Sequence, residues 1–243
     1  MNIKAPTEPE YNDNVGEYCA TLFLALLLFA DLLFIILHLV HSITPLLNSW
    51  FYSLSWYKSY AEVYQYLKWL WIIFLLVNLS RLRRSFSYMA WVLVVIFFLC
   101  TDVLSIHNIF GRYLADKLPL LFSFELSAQD LGVLIASIVA SMFLPSLIGY
   151  TYYRGSQAFK KISRDMLLLV LGLIFFGIFI DMIHDLESSG RRAYFILETI
   201  ENSGETLVVS LILWYSFLVS IRSDNNNASL CQLLSGSLLK LVP

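Results

Sequence analysis

From Ala20 to Val40 the chain is apolar apart from Thr21, Asp31 and His38. An α-helix needs about 20 mainly apolar residues to cross the hydrocarbon of a bilayer. No water is available there to satisfy backbone N–H and C=O groups, so only helices and closed barrels can span. Comparable runs recur at Tyr60–Leu79, Phe86–Ile106, Leu131–Tyr150, Met166–His184 and Thr206–Ile221. The sequence therefore predicts an all-α, polytopic membrane helix bundle with six transmembrane helices over residues 19–222. A polar arm precedes it at 1–18 and a tail follows at 223–243.

Composition agrees with this reading. Of 243 residues, 58% are hydrophobic and only 14% charged, where a soluble domain carries about 25%. The net charge of −2 points to neither nucleic acid nor an anionic surface as partner. Cys19, Cys100 and Cys231 are scattered, which argues against a disulfide framework or a thiolate zinc site. Residues 1–18 lack the basic start of a signal peptide, so the first apolar run is expected to be retained.

Within the runs, Lys68 is expected to snorkel along the second helix toward headgroups. The pattern Ser127-Ala-Gln-Asp130 reads as a capping box opening the fourth helix. Pro145 and Gly149 are expected to loosen that helix near its end. Asp165 is expected to open the fifth, and an acidic turn the sixth. The aromatic stretch Trp50–Trp56 reads as an interfacial belt.

Basic residues set the expected orientation. Arg81, Arg83, Arg84, Arg154, Lys160, Lys161 and Arg164 fall in two loops on one side, joined by Lys4, Arg222 and Lys240. Lys58, Arg112, Lys117, Arg191 and Arg192 fall on the other. Six crossings with both termini cytoplasmic in a bacterial inner membrane satisfy this bias.

This orientation collects the acidic and imidazole groups at the extracytoplasmic leaflet. Asp31, His38 and His41 share a stripe of the first helix by their spacing. Asp102 and His107 close the third helix, Asp181, His184 and Asp185 the fifth, and Glu198, Glu201 and Glu205 precede the sixth. An ionisable group inside a bilayer costs roughly 2.5–3.5 kcal/mol by insertion scales, which makes it a functional candidate by default. The candidate cation or proton site comprises Asp31, His38, Asp102, His107, Asp181, His184, Glu201 and Glu205. Oxygen ligands suit calcium, magnesium or manganese, and imidazole adds zinc or iron. A plain structural reading stands beside this one: headgroup-level polar groups, or interhelical contacts of Asp31, Asp102, Asp181 and Glu205.

From the third helix onward the chain resembles a loose group of uncharacterised bacterial multi-pass membrane proteins. Their pattern is a helix ending S-L-D-E-x-x-x-x-H-E, a later helix ending in an acid, and a last helix opening E-E-x-x-E. Cys100-Thr101-Asp102 through His107-Asn108, Phe179-Ile180-Asp181, and Glu201 with Glu205 occupy these elements. Thr101, Asn108 and Asn202 depart from the pattern. The resemblance implies the same outer-leaflet cluster and no activity. Membrane ceramidase-like and adiponectin-receptor-like hydrolases offer an analogy only, since ExxxE stands where their HxxxH would be.

Three functions follow as expectations. The first is a sensor or membrane subunit whose cluster binds a cation or protons. It would signal through a partner or a second copy, in a stress or phage-defence setting. The second is a metal-dependent lipid hydrolase, with a divalent ion on His38, His107 and His184 and a glutamate as base. The third is a small channel or proton-coupled carrier that uses Asp31.

Overall fold

The computed structural model describes residues 8–44, 47, 49–54, 56, 58–104, 143–180, 183 and 191–222. Their regular elements are all helices, with no strand among the described residues. The elements are α1 (Glu8–Ile43), a 3-10 turn at Trp50–Tyr52, α2 (Tyr60–Leu82), α3 (Tyr88–Leu104), α4 (143–154), α5 (Gln157–Ile174) and α6 (Arg191–Ile221). A π-helical segment, Phe175–Ile180, continues α5. Val15–Ile43, Tyr60–Leu82 and Ala193–Ile221 are long and apolar enough to cross a membrane, and Tyr88–Val103 is a shorter apolar helix. At 1.5 Å per residue, the two 29-residue segments reach about 43 Å, more than the hydrocarbon thickness.

The described residues form two units, one of residues 1–75 and 161–243, the other of residues 76–160. In the first unit α1 lies antiparallel to both α2 and α6. Phe23 packs on Trp71 and Phe34 on Tyr64, with ring centroids 6.3 and 5.2 Å apart. Phe23 also meets Phe217 at 4.9 Å, and His38 stacks on Phe195 at 5.8 Å. At one end of this pairing Glu17 forms an ion pair with Arg222. Beside it, Gly16 lets Ile221 approach within ordinary van der Waals reach of where a Cβ would stand.

α5 and its π extension run antiparallel to α6 in steady register. The Tyr215 hydroxyl donates to Asp165 at 2.9 Å, Gly172 faces Val208, Phe176 covers Gly204, and the Glu205 carboxylate rests on Gly177. Gly204 and Gly177 leave no room for a Cβ at these approaches. Small residues of this kind let membrane helices come close.

In the first unit large apolar side chains cover the outside as well as the core. Leu22, Leu26, Phe29, Leu33 and Ile36 form an exposed stripe on α1, and Val63, Leu67, Leu70 and Phe74 another on α2. Asp31, His38, Lys68, Asp165, Thr206 and Ser210 are buried. Contiguous exposed apolar surface of this extent marks a membrane or partner surface. In the second unit Tyr88, Trp91, Val92 and Val95 are buried at helical spacing on α3, and Tyr88 meets Phe159 edge-on at 5.1 Å.

Several sequence expectations change. The first helix starts at Glu8, so part of the stretch read as an arm is helical. Asp165 does not open a helix: Ser156 caps α5 by accepting from the Phe159 N–H at 3.2 Å, and Asp165 lies two turns inside. The basic Lys160-Lys161 pair had disguised the start of that helix. Glu198, Glu201 and Glu205 belong to the continuous helix α6 rather than to a turn before it. Ser59 caps α2 through the Glu62 N–H, and Trp50 stacks on Trp56 at 4.9 Å, both rings exposed. Six crossings are not established by three candidate spans. The pattern Ser127–Asp130 lies outside the described residues, as does most of the fourth predicted span.

Candidate functional site

Asp31, Lys68 and Ser210 meet where α1, α2 and α6 pack together in the first unit. The Lys68 ammonium donates to Asp31 Oδ1 at 3.2 Å, to the Thr206 carbonyl at 2.9 Å and to Ser210 Oγ at 3.2 Å. An ammonium has three N–H donors, and these acceptors take all of them. The Tyr64 ring faces the same nitrogen, 4.7 Å from its centroid. One turn before Ser210, Thr206 Oγ1 donates to Gln65 Oε1 at 3.1 Å. The Lys68 and Asp31 side chains are 1% and 0% exposed. Lys68 therefore does not snorkel. Its stem points inward because a carboxylate and two α6 oxygens await it there.

Each participant sits near the middle of its apolar span: Asp31 in Val15–Ile43, Lys68 in Tyr60–Leu82, and Thr206 with Ser210 in Ala193–Ile221. The pair therefore lies at least two turns inside each helix that carries it. Taking two charges out of water costs several kcal/mol per ion, and only good geometry with further hydrogen bonds offsets it. Lys68 has that geometry and Asp31 has half of it. Asp31 Oδ2 is buried with no hydrogen-bond partner among the described residues.

His38 follows Asp31 by seven residues on the buried face of α1, as its spacing predicted. Its Nδ1 accepts from the Leu54 N–H at 3.1 Å. An accepting Nδ1 places the neutral ring's proton on Nε2, which has no partner among the described residues. The Glu198 carboxylate and the His41 ring are near enough to act on it electrostatically. His41 is engaged elsewhere, its Nδ1–H donating to the Leu47 carbonyl at 2.6 Å.

Among the other sequence candidates, Glu205 turns to Gly177 on the π segment, and Glu201 is half-buried on α6. Asp102, near the end of α3, belongs to the second unit. His107, Asp181, His184 and Asp185 lie outside the described residues. Among the described residues, no three His, Cys, Asp or Glu side chains come together as a metal site.

Sequence reasoning missed Lys68, Ser210, Thr206, Gln65 and Tyr64 as participants. Opposite charges near the middle of two consecutive apolar runs were the available signal. Compared with protein-family models, curated proteins and solved structures, the chain matches none.

Proposed function

We propose that this chain is a multi-pass integral membrane protein of a bacterial inner membrane, with both termini cytoplasmic. In this reading it serves as a proton-responsive sensor or subunit that signals through a partner or a second copy. The observation that carries the reading is the buried Asp31–Lys68 pair at the middle of the apolar spans. A purely structural contact between three helices needs no opposite charges there, because apolar packing of equal volume is often as stable. A charge pair adds sensitivity to protons. Protonating Asp31 removes the counter-charge and leaves a buried ammonium with two neutral acceptors, the Thr206 carbonyl and Ser210 Oγ. The packing of α1 against α2 and α6 then loses its central tie.

The ionisable groups that bear on Asp31 are few. Lys68 and Tyr64 come from α2, His38 lies two turns away on α1, and Glu205 on α6 is turned toward the π segment. Hydrogen exchange of the protein in lipid nanodiscs, followed across pH, tests the switch. With the base-catalysed intrinsic rate divided out, exchange in α1 and α2 around Asp31 and Lys68 is expected to rise as pH falls in the wild type. In Asp31→Asn it is expected to be fast and insensitive to pH. Equal pH profiles for the two proteins would defeat the reading.

The depth of the pair also favours proton-coupled transport, since carrier sites commonly lie near the bilayer midplane. Proteoliposomes carrying an internal pH dye separate the two readings. Proton flux that Asp31→Asn abolishes supports a carrier, and a tight vesicle supports a sensor.

A further inference from the structure

Of the five buried polar atoms left without partners among the described residues of the first unit, four lie together and the fifth, Arg222 Nε, stands apart at the far end beside Glu17. His38 Nε2 and Asp31 Oδ2 lie on one face of α1, two turns or about 10 Å apart along the helix. Ser203 Oγ and Trp214 Nε1 are likewise buried without partners among the described residues. Ser203 and Trp214 share a face of α6 with Thr206 and Ser210, at helical spacing. That face begins at Phe195, which stacks on His38, and passes the acceptors of Lys68. Between the two ends, Gln65 and the Thr206 hydroxyl add further polar atoms. Beyond Trp214 the line stops, where Phe217 packs on Phe23, and Phe23 on Trp71.

Buried polar groups almost always find partners, and where protein supplies none an ordered water does. The strip also carries the Thr206 carbonyl, Ser210 Oγ, Gln65 and the Thr206 hydroxyl, groups of the kind a bound water needs as partners. Directly beyond Trp214 the Phe23, Phe217 and Trp71 rings close the strip, a poor place for water.

We infer that the α1–α2–α6 interface holds a one-sided chain of bound waters, running from His38 past Ser203 and Thr206 to the Asp31–Lys68 pair, with Trp214 as its floor. Hydrogen-bonded oxygens lie about 2.8 Å apart, so about three waters suffice between the levels of His38 and Asp31. The chain is the route by which protons reach Asp31, from the end where α1 finishes and α2 and α6 begin. The inference deepens the proposed switch and rests on it for its purpose. The hydration itself is measured separately.

X-ray hydroxyl-radical footprinting of the full chain in lipid nanodiscs provides the test, because radicals formed from bound water oxidise the side chains beside it. Phe195 and Phe217 are the same residue type on the same helix, at the open and closed ends. Phe29 faces outward from α1 as a lipid-side control, and Tyr64 reports at the depth of Lys68. Phe195 and Tyr64 are expected to be oxidised several-fold faster than Phe217 and Phe29. In Ser203→Val, oxidation of Tyr64 is expected to drop while Phe195 keeps its rate. The inference is overturned if Phe217 is oxidised as fast as Phe195, if Tyr64 is no faster than Phe29, or if Ser203→Val leaves Tyr64 unchanged. A dry interface with a pH-responsive Asp31 would retain the switch and remove the path. A wet interface whose exchange ignores Asp31→Asn would do the reverse.

Discussion

Replacing Lys68 with Met keeps the length of the stem and removes the charge. Asp31 is then left with a carboxylate buried in the middle of an apolar span, no cation beside it, and Oδ2 already without a partner. Breaking a buried ion pair from one side costs about 3–5 kcal/mol. The reverse change, Asp31→Val, leaves the Lys68 ammonium with the Thr206 carbonyl and Ser210 Oγ. Its cost is expected in the lower part of that ~3–5 kcal/mol range, because two acceptors remain. The double variant removes both charges and both desolvation penalties. It is expected to lie within about 1–2 kcal/mol of the wild type, or to exceed it, as apolar replacements of buried pairs often do. The two sites are then coupled by roughly 3 kcal/mol or more, against about 0.5 kcal/mol for independent sites. Equilibrium unfolding in mixed micelles, followed by the fluorescence of the buried Trp69 and Trp214, measures all four proteins. If the two single losses simply add in the double variant, the pair is not an interaction and the site argument collapses.

Two further outcomes follow from helix packing. Gly204→Ala forces a methyl group into the Phe176 ring and is expected to cost about 1–3 kcal/mol in the same assay, as overpacking does. Gly149→Ala meets nothing within 4 Å and is expected to gain up to about 1 kcal/mol from helix propensity; equal effects of the two would refute the close α5–α6 approach. Tyr215→Phe removes the hydrogen bond to the buried Asp165, whose other contact is Arg164 Nε at 3.7 Å, and is expected to cost about 1.5–3 kcal/mol by thermal unfolding. A loss within error of zero would mean that Asp165 is satisfied without Tyr215.

Hydropathy alone determined that the described part of this chain is helical and carries helices able to cross a membrane, because lipid permits so few alternatives. Helical spacing also placed Asp31 and His38 on one face of α1, and that face is the buried one. Spacing works within a helix, where geometry fixes neighbours three, four and seven residues apart.

Spacing says nothing about which helix lies opposite. Lys68 has no acidic residue at helical spacing within its own span, so a sequence reading sends it to the headgroups. Only packing shows that Asp31, 37 residues earlier, and Ser210, 142 residues later, surround it. Glu205 illustrates the same limit. Its spacing grouped it with Glu198 and Glu201, yet the π segment beside it places Gly177 against its carboxylate. Partners across helices are chosen by register and close approach. Those are set by glycines and aromatic contacts distributed over the whole unit, and no local stretch of the sequence encodes them.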